Sequence, residues 1–542
     1  MKQANSKNIP YILFCVISLG LILRVWGIHY GLPFFHYIDE SHYLPIAMGM
    51  LKTRDFNPHY FMNPPLLTYL HAFLMACYFI IGKIVGFFSS PEAVGKLFHT
   101  NPTIFYLIAR LLSALLGTAT CLVIYKIGKR LFNKDVGLIS CVLLSFCFLH
   151  LSNSRYAVND VPGTFFMALS FLYIINAVSV GRLKFYILSG LFAGLAIATK
   201  YNMGIIIFAL SISFVLYPHK DWSSGSKIFF LTLSSCIVGF FISCPWIFLD
   251  LKNFYRDFMC QAELNKQPWF GCSHESSYIL FLTTIINGYG LIPSLFVLVG
   301  LVFLWRKKRQ LILVSFFPLI YYLLLGMSKL FFSRFVIPML PYLALISGYG
   351  IFYTANCFGK AKEKTIIIIL VSLCVFQGIV SGVRENYLTS KMDTRIIARD
   401  WIKQHIPPHS KIITEGYGPN LQNFDSGGLI NDYIIKDVWW DLPKKDLETY
   451  RQESYQYIIT SDAMRNRYFK EPKKYAKEIS FYLLLENRGE KLFQTSSVCK
   501  PIPQDYCGPF WNLFGNLFMG DCLGPEIKIY RIDRDLPIDH RR

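Results

Sequence analysis

The residues best suited to chemistry in this chain stand together in Phe35-His36-Tyr37-Ile38-Asp39-Glu40-Ser41-His42-Tyr43. Two adjacent carboxylates, flanked by imidazoles and phenols, follow directly on the first apolar run. Acids are scarce there: residues 1–383 hold 12 Asp and Glu against 30 Lys and Arg. A carboxylate at a membrane edge can take a proton from a hydroxyl or amine nucleophile, and an apolar or like-charged setting moves its pKa toward a useful range. Neighbouring residues on a strand or loop point apart, so Asp39 can face a substrate while Glu40 fixes the loop. The competing reading is a solvated acidic cap on a helix beginning near Ser41, because anions suit helix N-termini. His42 could hold a phosphate or orient the acid, and Tyr43 could donate a hydrogen bond. Without such a role both are ordinary interfacial residues.

Three later segments carry polar groups of the same kind. Arg155-Tyr156-Ala157-Val158-Asn159-Asp160-Val161-Pro162 contains the only acid between Asp135 and Asp221. An ionisable group near membrane depth is a functional candidate, against the alternative of simple turn chemistry. Lys200 and Arg334 suit a lipid-linked phosphate, Arg as a planar fork and Lys as a point charge. Taken singly, each reads as a snorkelling interfacial cation. Arg24 and Arg110 lie in the outer parts of their helices, where either could pair with an acid. Asp39, Glu40 and Asp160 also offer the oxygen ligands that a divalent cation takes. The sequence has no phosphate-binding P-loop, no Gly-rich nucleotide fingerprint, no H-E-x-x-H and no internal repeat.

The elements that must position these groups are membrane helices. The chain has 542 residues, 53% hydrophobic and 16% charged, with mean hydropathy +0.38; soluble domains carry about 25% charged residues. Runs near 20 apolar residues fall at about 10–28, 104–125, 137–152, 160–179, 185–199, 202–217, 228–248, 279–304, 311–327, 335–356 and 365–383. This predicts an α-helical polytopic membrane protein of about 11–13 spans. The formal charge of +20 lies almost wholly in the membrane half, in short connections at Lys126–Lys134, Arg182/Lys184, Lys220/Lys227, Arg306–Arg309 and Lys360–Lys364. That is the pattern of cytoplasmic loops, not of nucleic-acid binding. The first, third and later alternate connections then lie outside, together with Asp39, Asp160, Lys200 and Arg334. This parity requires 65–88 to lie along the outer face as a juxtamembrane or re-entrant helix within the first outer loop, about 29–103. Lys2 and Lys7 before the first apolar run read as an uncleaved signal anchor.

Beyond residue 383 the character changes. Residues 384–542 hold 24 basic and 22 acidic residues and read as a small α/β domain outside the membrane. Thr394–His405 is an amphipathic helix stopped by Pro407-Pro408. Residues 411–415, 455–460 and 526–531 read as strands. Cysteines within apolar runs, such as Cys121 and Cys147, read as core residues. Cys260, Cys272, Cys499, Cys507 and Cys522 could form one or two disulfides in an oxidising compartment.

In order along the chain, Asp39-Glu40-x-x-Tyr43, Pro64-Pro65-Leu66 with Tyr69, and Ala109-Arg110-Leu111-Leu112-Ser113-Ala114-Leu115-Leu116-Gly117 resemble the protein O-mannosyltransferase-like family. That family includes lipid-A aminoarabinose and galacturonosyl transferases, C-type membrane glycosyltransferases that use polyprenyl-phosphate sugars. Arg155 to Pro162, Gly190 to Lys200, and Arg334-Phe335-x-x-Pro338-x-x-Pro341 extend the resemblance over about residues 10–350. It implies a polyprenyl-phosphate sugar as donor, a lipid, glycan or protein acceptor, catalysis by Asp39 with Glu40 beside it, and assistance from Asp160. It also implies substrate contacts from His42, Tyr43, Asn63, Arg155, Lys200 and Arg334. His42 and Asn63 depart from the family's usual cations, which leaves more of the phosphate contact to Lys200 and Arg334. A transporter or lipid flippase is the rival reading; it would place charges on broken helices near the bilayer midplane, with inverted repeats.

Overall fold

The computed structural model describes residues 8–34, 38–216, 222–271, 276–421, 432–495 and 523–533. Apolar runs in a bilayer have no water to satisfy their backbone groups, so they close their hydrogen bonds internally as helices. The chain forms α1 (Ile9–Val25), then α2 (Leu44–Thr53), α3 (Leu66–Ile84) and α4 (Pro91–Thr100), and then the long α5 (Thr103–Leu131). It continues as α6 (Lys134–Ser145), α7 (Phe148–Asn153), α8 (Asp160–Val180), α9 (Leu183–Thr199), α10 (Ile206–Leu216) and α11 (Trp222–Ser243). The short α12 (Trp246–Leu249) and amphipathic α13 (Leu251–Leu264) precede α14 (Ser277–Tyr289), α15 (Leu291–Leu304), α16 (Lys308–Met327), α17 (Leu340–Asn356) and α18 (Glu363–Thr389). The outside of this bundle is apolar: Phe14, Val215, Ile242, Val302, Leu319 and Phe376 are all exposed. A surface of that kind belongs against lipid, and the chain is a multi-pass membrane protein.

The span count differs from the eleven or more expected. Among the described residues seven helices are long and apolar enough to cross a membrane, or eight if one bent pair counts as a single span. Three of the expected spans are shorter apolar helices: α1, α9 and the run from Tyr201. The segment 137–152 is broken between α6 and α7 at Phe146-Cys147. The segment 279–304 is not one straight span, because α14 and α15 meet at 107°. The break falls at Gly290, whose φ of +118° is open to glycine and not to side-chain-bearing residues.

Close approaches of small residues hold the bundle. A Cβ on Gly190 would lie 2.1 Å from the Thr232 carbonyl, and one on Gly194 2.2 Å from the Cys236 carbonyl. Glycine here lets α9 and α11 pack backbone to backbone, the usual device between membrane helices. α3 satisfies the length and apolarity of a span, yet its ends rest on neighbouring helix ends. Leu66 packs with Phe61, Ala198, Cys244 and Ile247, at the ends of α9 and α11. Met75 and Phe88 pack with Leu44, Phe98, Phe105 and Ala109, at the start of α5.

The C-terminal part is a five-stranded sheet in the order β2-β1-β3-β5-β4. Its strands are β1 (Lys411–Thr414), β2 (Ile434–Asp437), β3 (Tyr457–Ser461), β4 (Glu490–Gln494) and β5 (Ile527–Arg531). β1 pairs in parallel with β2 and β3, and β5 pairs antiparallel with β3 and β4. The three strands read from sequence are β1, β3 and β5. The two edges escaped it because edge strands are short and partly polar; β2 is Ile-Ile-Lys-Asp and mostly exposed. α19 (Thr394–His405) packs Ala398 and Ile402 on the sheet beside Ile412 and Ile529. α18 runs unbroken through residue 383 to Thr389. Below the sheet, Trp26 Nε1 donates to Ser390 Oγ at 3.1 Å, and Tyr30 bonds Asp393.

Ten cysteines are described, all as free thiols, with Cys260 exposed. Lys2, Lys7, His36, Tyr37, Lys220, Cys272, Cys499, Cys507 and Cys522 lie outside the described residues.

Candidate active site

One cavity of about 1150 Å³ gathers Asp39, His42, Tyr43, Asn63, Asp160, Lys200 and Arg334 from segments spread over some three hundred positions. Each arrives at a helix end. Asp39 lies in the 3-10 turn Ile38–His42 between α1 and α2. Asp160 is the first residue of α8, where the N-terminal dipole favours a carboxylate. Lys200 is the residue that caps α9, and Arg334 opens the 3-10 turn that enters α17.

Four charges form the centre. Arg334 Nη2 lies 2.7 Å from Asp39 Oδ2, and its Nε lies 3.7 Å from Asp160 Oδ2. Lys200 Nζ pairs with Asp160 Oδ1. Asp160 is 1% exposed and locked between the two cations, whereas Asp39 is 34% exposed. Aromatic faces steady both cations. Arg334 sits 4.4 Å over the Phe332 ring, and Lys200 4.7 Å over Phe335.

A rail of polar side chains runs along one wall. His42 stacks on Tyr60 with centroids 5.5 Å apart. Asn63 Nδ2 donates to Tyr60 Oη at 3.2 Å, and Asn159 Nδ2 donates to Asn63 Oδ1 at 3.1 Å and to the Thr199 carbonyl. Burial pushes the Tyr60 hydroxyl up to about 12, so it remains a neutral hydrogen-bonding group. Phe61 N–H donates to Asp257 Oδ2 at 2.8 Å, which ties this loop to α13.

Two expected site residues are elsewhere. Glu40, grouped with the acids of the reaction, is fully buried and absent from the cavity lining. Arg110 donates to it twice, Nε to Oε1 at 2.8 Å and Nη2 to Oε2 at 2.6 Å, and the Ala157 N–H donates to Oε1 at 2.8 Å. Arg110 also donates to the Ile28 and Tyr30 carbonyls. Glu40 therefore joins three chain segments on the far side of the turn from Asp39. Arg155, expected to contact substrate, is 1% exposed and turned toward α18, where it meets Glu385 at 3.3 Å and Asn386. Of the two arginines expected to pair with an acid, Arg110 does. Arg24 instead bonds the Gly20 and Ser145 carbonyls and His150 Nδ1.

The acids do not fit a divalent ion. Asp39 and Asp160 already face cations, Glu40 is consumed by Arg110 and Ala157, and no group of three or more His, Cys, Asp or Glu suited to a metal occurs among the described residues. The side chains that face Asp39 and Asp160 are a guanidinium and an ammonium.

The sequence reading missed part of the lining. Lys329 is exposed at the cavity, and no carboxylate among the described residues pairs with it; it lies in the same Ser328–Phe335 stretch as Arg334. Asn202 Oδ1 is buried without a partner among the described residues, while its Nδ2 donates to Tyr321 Oη at 2.8 Å. Tyr417, Trp439 and Trp440 reach the cavity from the sheet domain, which places that domain on the same side as Asp39. The only signal for them was a Trp doublet in an otherwise polar tail.

The helical bundle and the cavity at its helix ends define the class: the chain has the C-type membrane glycosyltransferase fold that its motifs resemble. Residues 98–248 match the family model described as dolichyl-phosphate-mannose-protein mannosyltransferase. The oligosaccharyltransferase of Archaeoglobus fulgidus in its apo form superposes with a TM-score of 0.55 at 11% identity, covering 90% of this chain and 73% of that one. ArnT from Cupriavidus metallidurans bound to undecaprenyl phosphate gives 0.51 at 13% identity, covering 87% and 94%. An uncharacterised protein of Aquifex aeolicus is 24% identical over 384 residues, 68% of this chain and 67% of that one.

Proposed function

We propose that this chain is a membrane glycosyltransferase that moves a sugar from a polyprenyl-phosphate donor to an acceptor on the outer face of the membrane. The carrying observation is the cavity at the helix ends, where an accessible carboxylate pairs with Arg334 and where Lys200 and Lys329 also lie on the lining. Arg334 Nη2 engages Asp39 at Oδ2, and the carboxylate remains 34% exposed. This carboxylate would accept the acceptor's proton. The acceptor oxygen or nitrogen bonds to the anomeric carbon as that carbon's bond to the phosphate oxygen breaks, with inversion. The electron pair leaves on the phosphate oxygen, giving free polyprenyl phosphate. Arg334 and Lys329 stabilise the charge that develops there, while Asp160 holds Lys200 and Arg334 in place. A tail-bearing donor would enter past the apolar wall of Ile205, Leu324 and Met327. The similar ArnT is bound to undecaprenyl phosphate, which agrees with a ligand of this kind.

In this reading residues 1–383 form the transferase domain in the membrane and 384–542 an α/β domain outside it. α3 lies along the outer face, as the packing of both its ends favours. The basic connections at the other helix ends lie in the cytoplasm with the N-terminus. In cells, mass analysis of envelope glycolipids and glycoproteins with and without this chain tests the proposal. Loss of one hexose- or pentose-sized increment from a defined class of molecules is expected; identical profiles, with a solute accumulating instead, would favour a transporter.

A further inference from the structure

A continuous row of aromatic rings leads out of the charged centre and into the sheet domain. Arg334 sits over Phe332, whose ring centroid is 5.8 Å from that of Trp269. Trp269 is 6.0 Å from Trp440, Trp440 is 5.7 Å from Trp439, and Trp439 is 5.4 Å from Tyr417. All of these rings line the cavity and all are half-buried, so each keeps part of its surface accessible.

The outer rings are held at a conformational cost. Tyr417 has φ 61° and Trp439 has φ 42°, values that bulky residues adopt only where the surroundings enforce them and that gather at ligand sites. The enforcement is visible. The Trp439 ring lies on Gly416, whose N–H donates to the Trp439 carbonyl at 2.9 Å. Arg467 Nη2 donates to Tyr417 Oη at 3.0 Å. Arg467 also lies against the Trp440 ring. Asn202 and Gln261 add amide groups to the lining of the same cavity.

Resting on the glycosyl-transfer reading, we infer that this row is the acceptor subsite and that the acceptor presents a saccharide. Pyranose rings offer apolar C–H faces for the aromatic rings and hydroxyl donors for amides such as Asn202 and Gln261. An extended peptide would look for an unpaired strand edge, and no described residue lining the cavity belongs to a strand: Tyr417 follows β1, and Trp439 and Trp440 follow β2.

The test is saturation-transfer NMR on the full chain in nanodiscs. The probes are neutral tetrasaccharides of glucose, mannose, galactose and N-acetylglucosamine, with a serine- and threonine-containing octapeptide in parallel. At least one saccharide should receive saturation on its ring C–H protons. That signal should fall about fivefold or more in Trp439→Ala and Tyr417→Ala, return in Trp439→Phe, and persist in Asp39→Asn. Thermal melts of each variant separate loss of the ring from loss of the fold, and Trp439→Phe keeps the ring where Ala unfolds the loop. Saturation of the peptide alone, of no probe at all, or of a saccharide equally in wild type and folded Trp439→Ala overturns the inference. Because this is equilibrium binding, sugar transfer that survives Asp39→Asn would undo the catalytic reading and leave the saccharide subsite standing.

Discussion

Glu40→Gln separates a residue that takes part in the reaction from one that positions it. The wild-type carboxylate accepts three hydrogen bonds from groups that see no water, two from Arg110 and one from the Ala157 N–H. Glutamine keeps the shape and one acceptor oxygen. It removes the charge that balances a guanidinium 1% exposed, and it sets an amide N–H₂ against an N–H donor. Stranding one partner of a buried pair costs about 3–5 kcal/mol. Arg110→Met alone should cost a similar amount, because it strands Glu40. The double variant Glu40→Leu with Arg110→Met should recover only part of the loss: an apolar pair replaces the ion pair with little penalty, but the Ala157 N–H and the Ile28 and Tyr30 carbonyls lose their partners. The assay is a set of thermal melts on purified protein in detergent, with sugar transfer measured in parallel. Both single variants should melt well below wild type and the double variant between them and wild type. Transfer should stay low in all three, because the turn that carries Asp39 is no longer held by the Glu40–Arg110 pair. A Glu40→Gln protein that melts like wild type but has lost transfer would refute the positioning role and return Glu40 to the chemistry.

Other outcomes follow from single contacts. Lys329→Ala should lower kcat/KM for the polyprenyl-phosphate donor about two- to fivefold, with kcat falling as the developing charge loses a partner, an exposed cation being worth under about 1 kcal/mol; steady-state kinetics at two salt concentrations reads it. Burial pushes the Glu415 carboxyl in the sheet domain up to about 8, against hydrogen bonds from Tyr482 and the Ser461 N–H that pull it down. Its folded pKa lies above its unfolded value, so the domain should lose stability as pH rises from about 4.5 to 8, by up to about 1.4 kcal/mol per unit; melts across that range should flatten in Glu415→Gln. Gly194→Val should loosen α9 from α11, since its Cβ would meet the Cys236 carbonyl at 2.2 Å, at a cost of about 1–3 kcal/mol or more. Gly49→Ala, where nothing lies within 4 Å, should be neutral or slightly stabilising in the same melts.

Much of this arrangement is legible in the sequence, for identifiable reasons. Hydropathy marks the helices because a bilayer admits little else, and charge asymmetry assigns Asp39, Asp160, Lys200 and Arg334 to one side before any contact is known. The divergence of adjacent residues gives a reason to separate Asp39 from Glu40. What the sequence hides depends on distant partners. Arg155 looks like a cavity residue until Glu385 and Asn386, more than two hundred positions away, draw it toward α18. The kink at Gly290 and the break at Phe146-Cys147 sit inside apolar runs that composition reads as continuous. Trp439 and Tyr417 come to the cavity only because the sheet domain folds down over it, and no local pattern encodes that docking.

Asp39 carries the central claim. The most direct measurement is transfer of labelled sugar from a polyprenyl-phosphate donor to an envelope-extract acceptor by the purified, reconstituted chain, wild type against Asp39→Asn. The substituted side chain keeps its shape and its place beside Arg334 but cannot serve as the base. The expected result is a fall in turnover of about a hundredfold or more, with donor binding and melting temperature close to wild type. Turnover within a few-fold of wild type in a folded, membrane-inserted Asp39→Asn protein would contradict the catalytic role of this carboxylate.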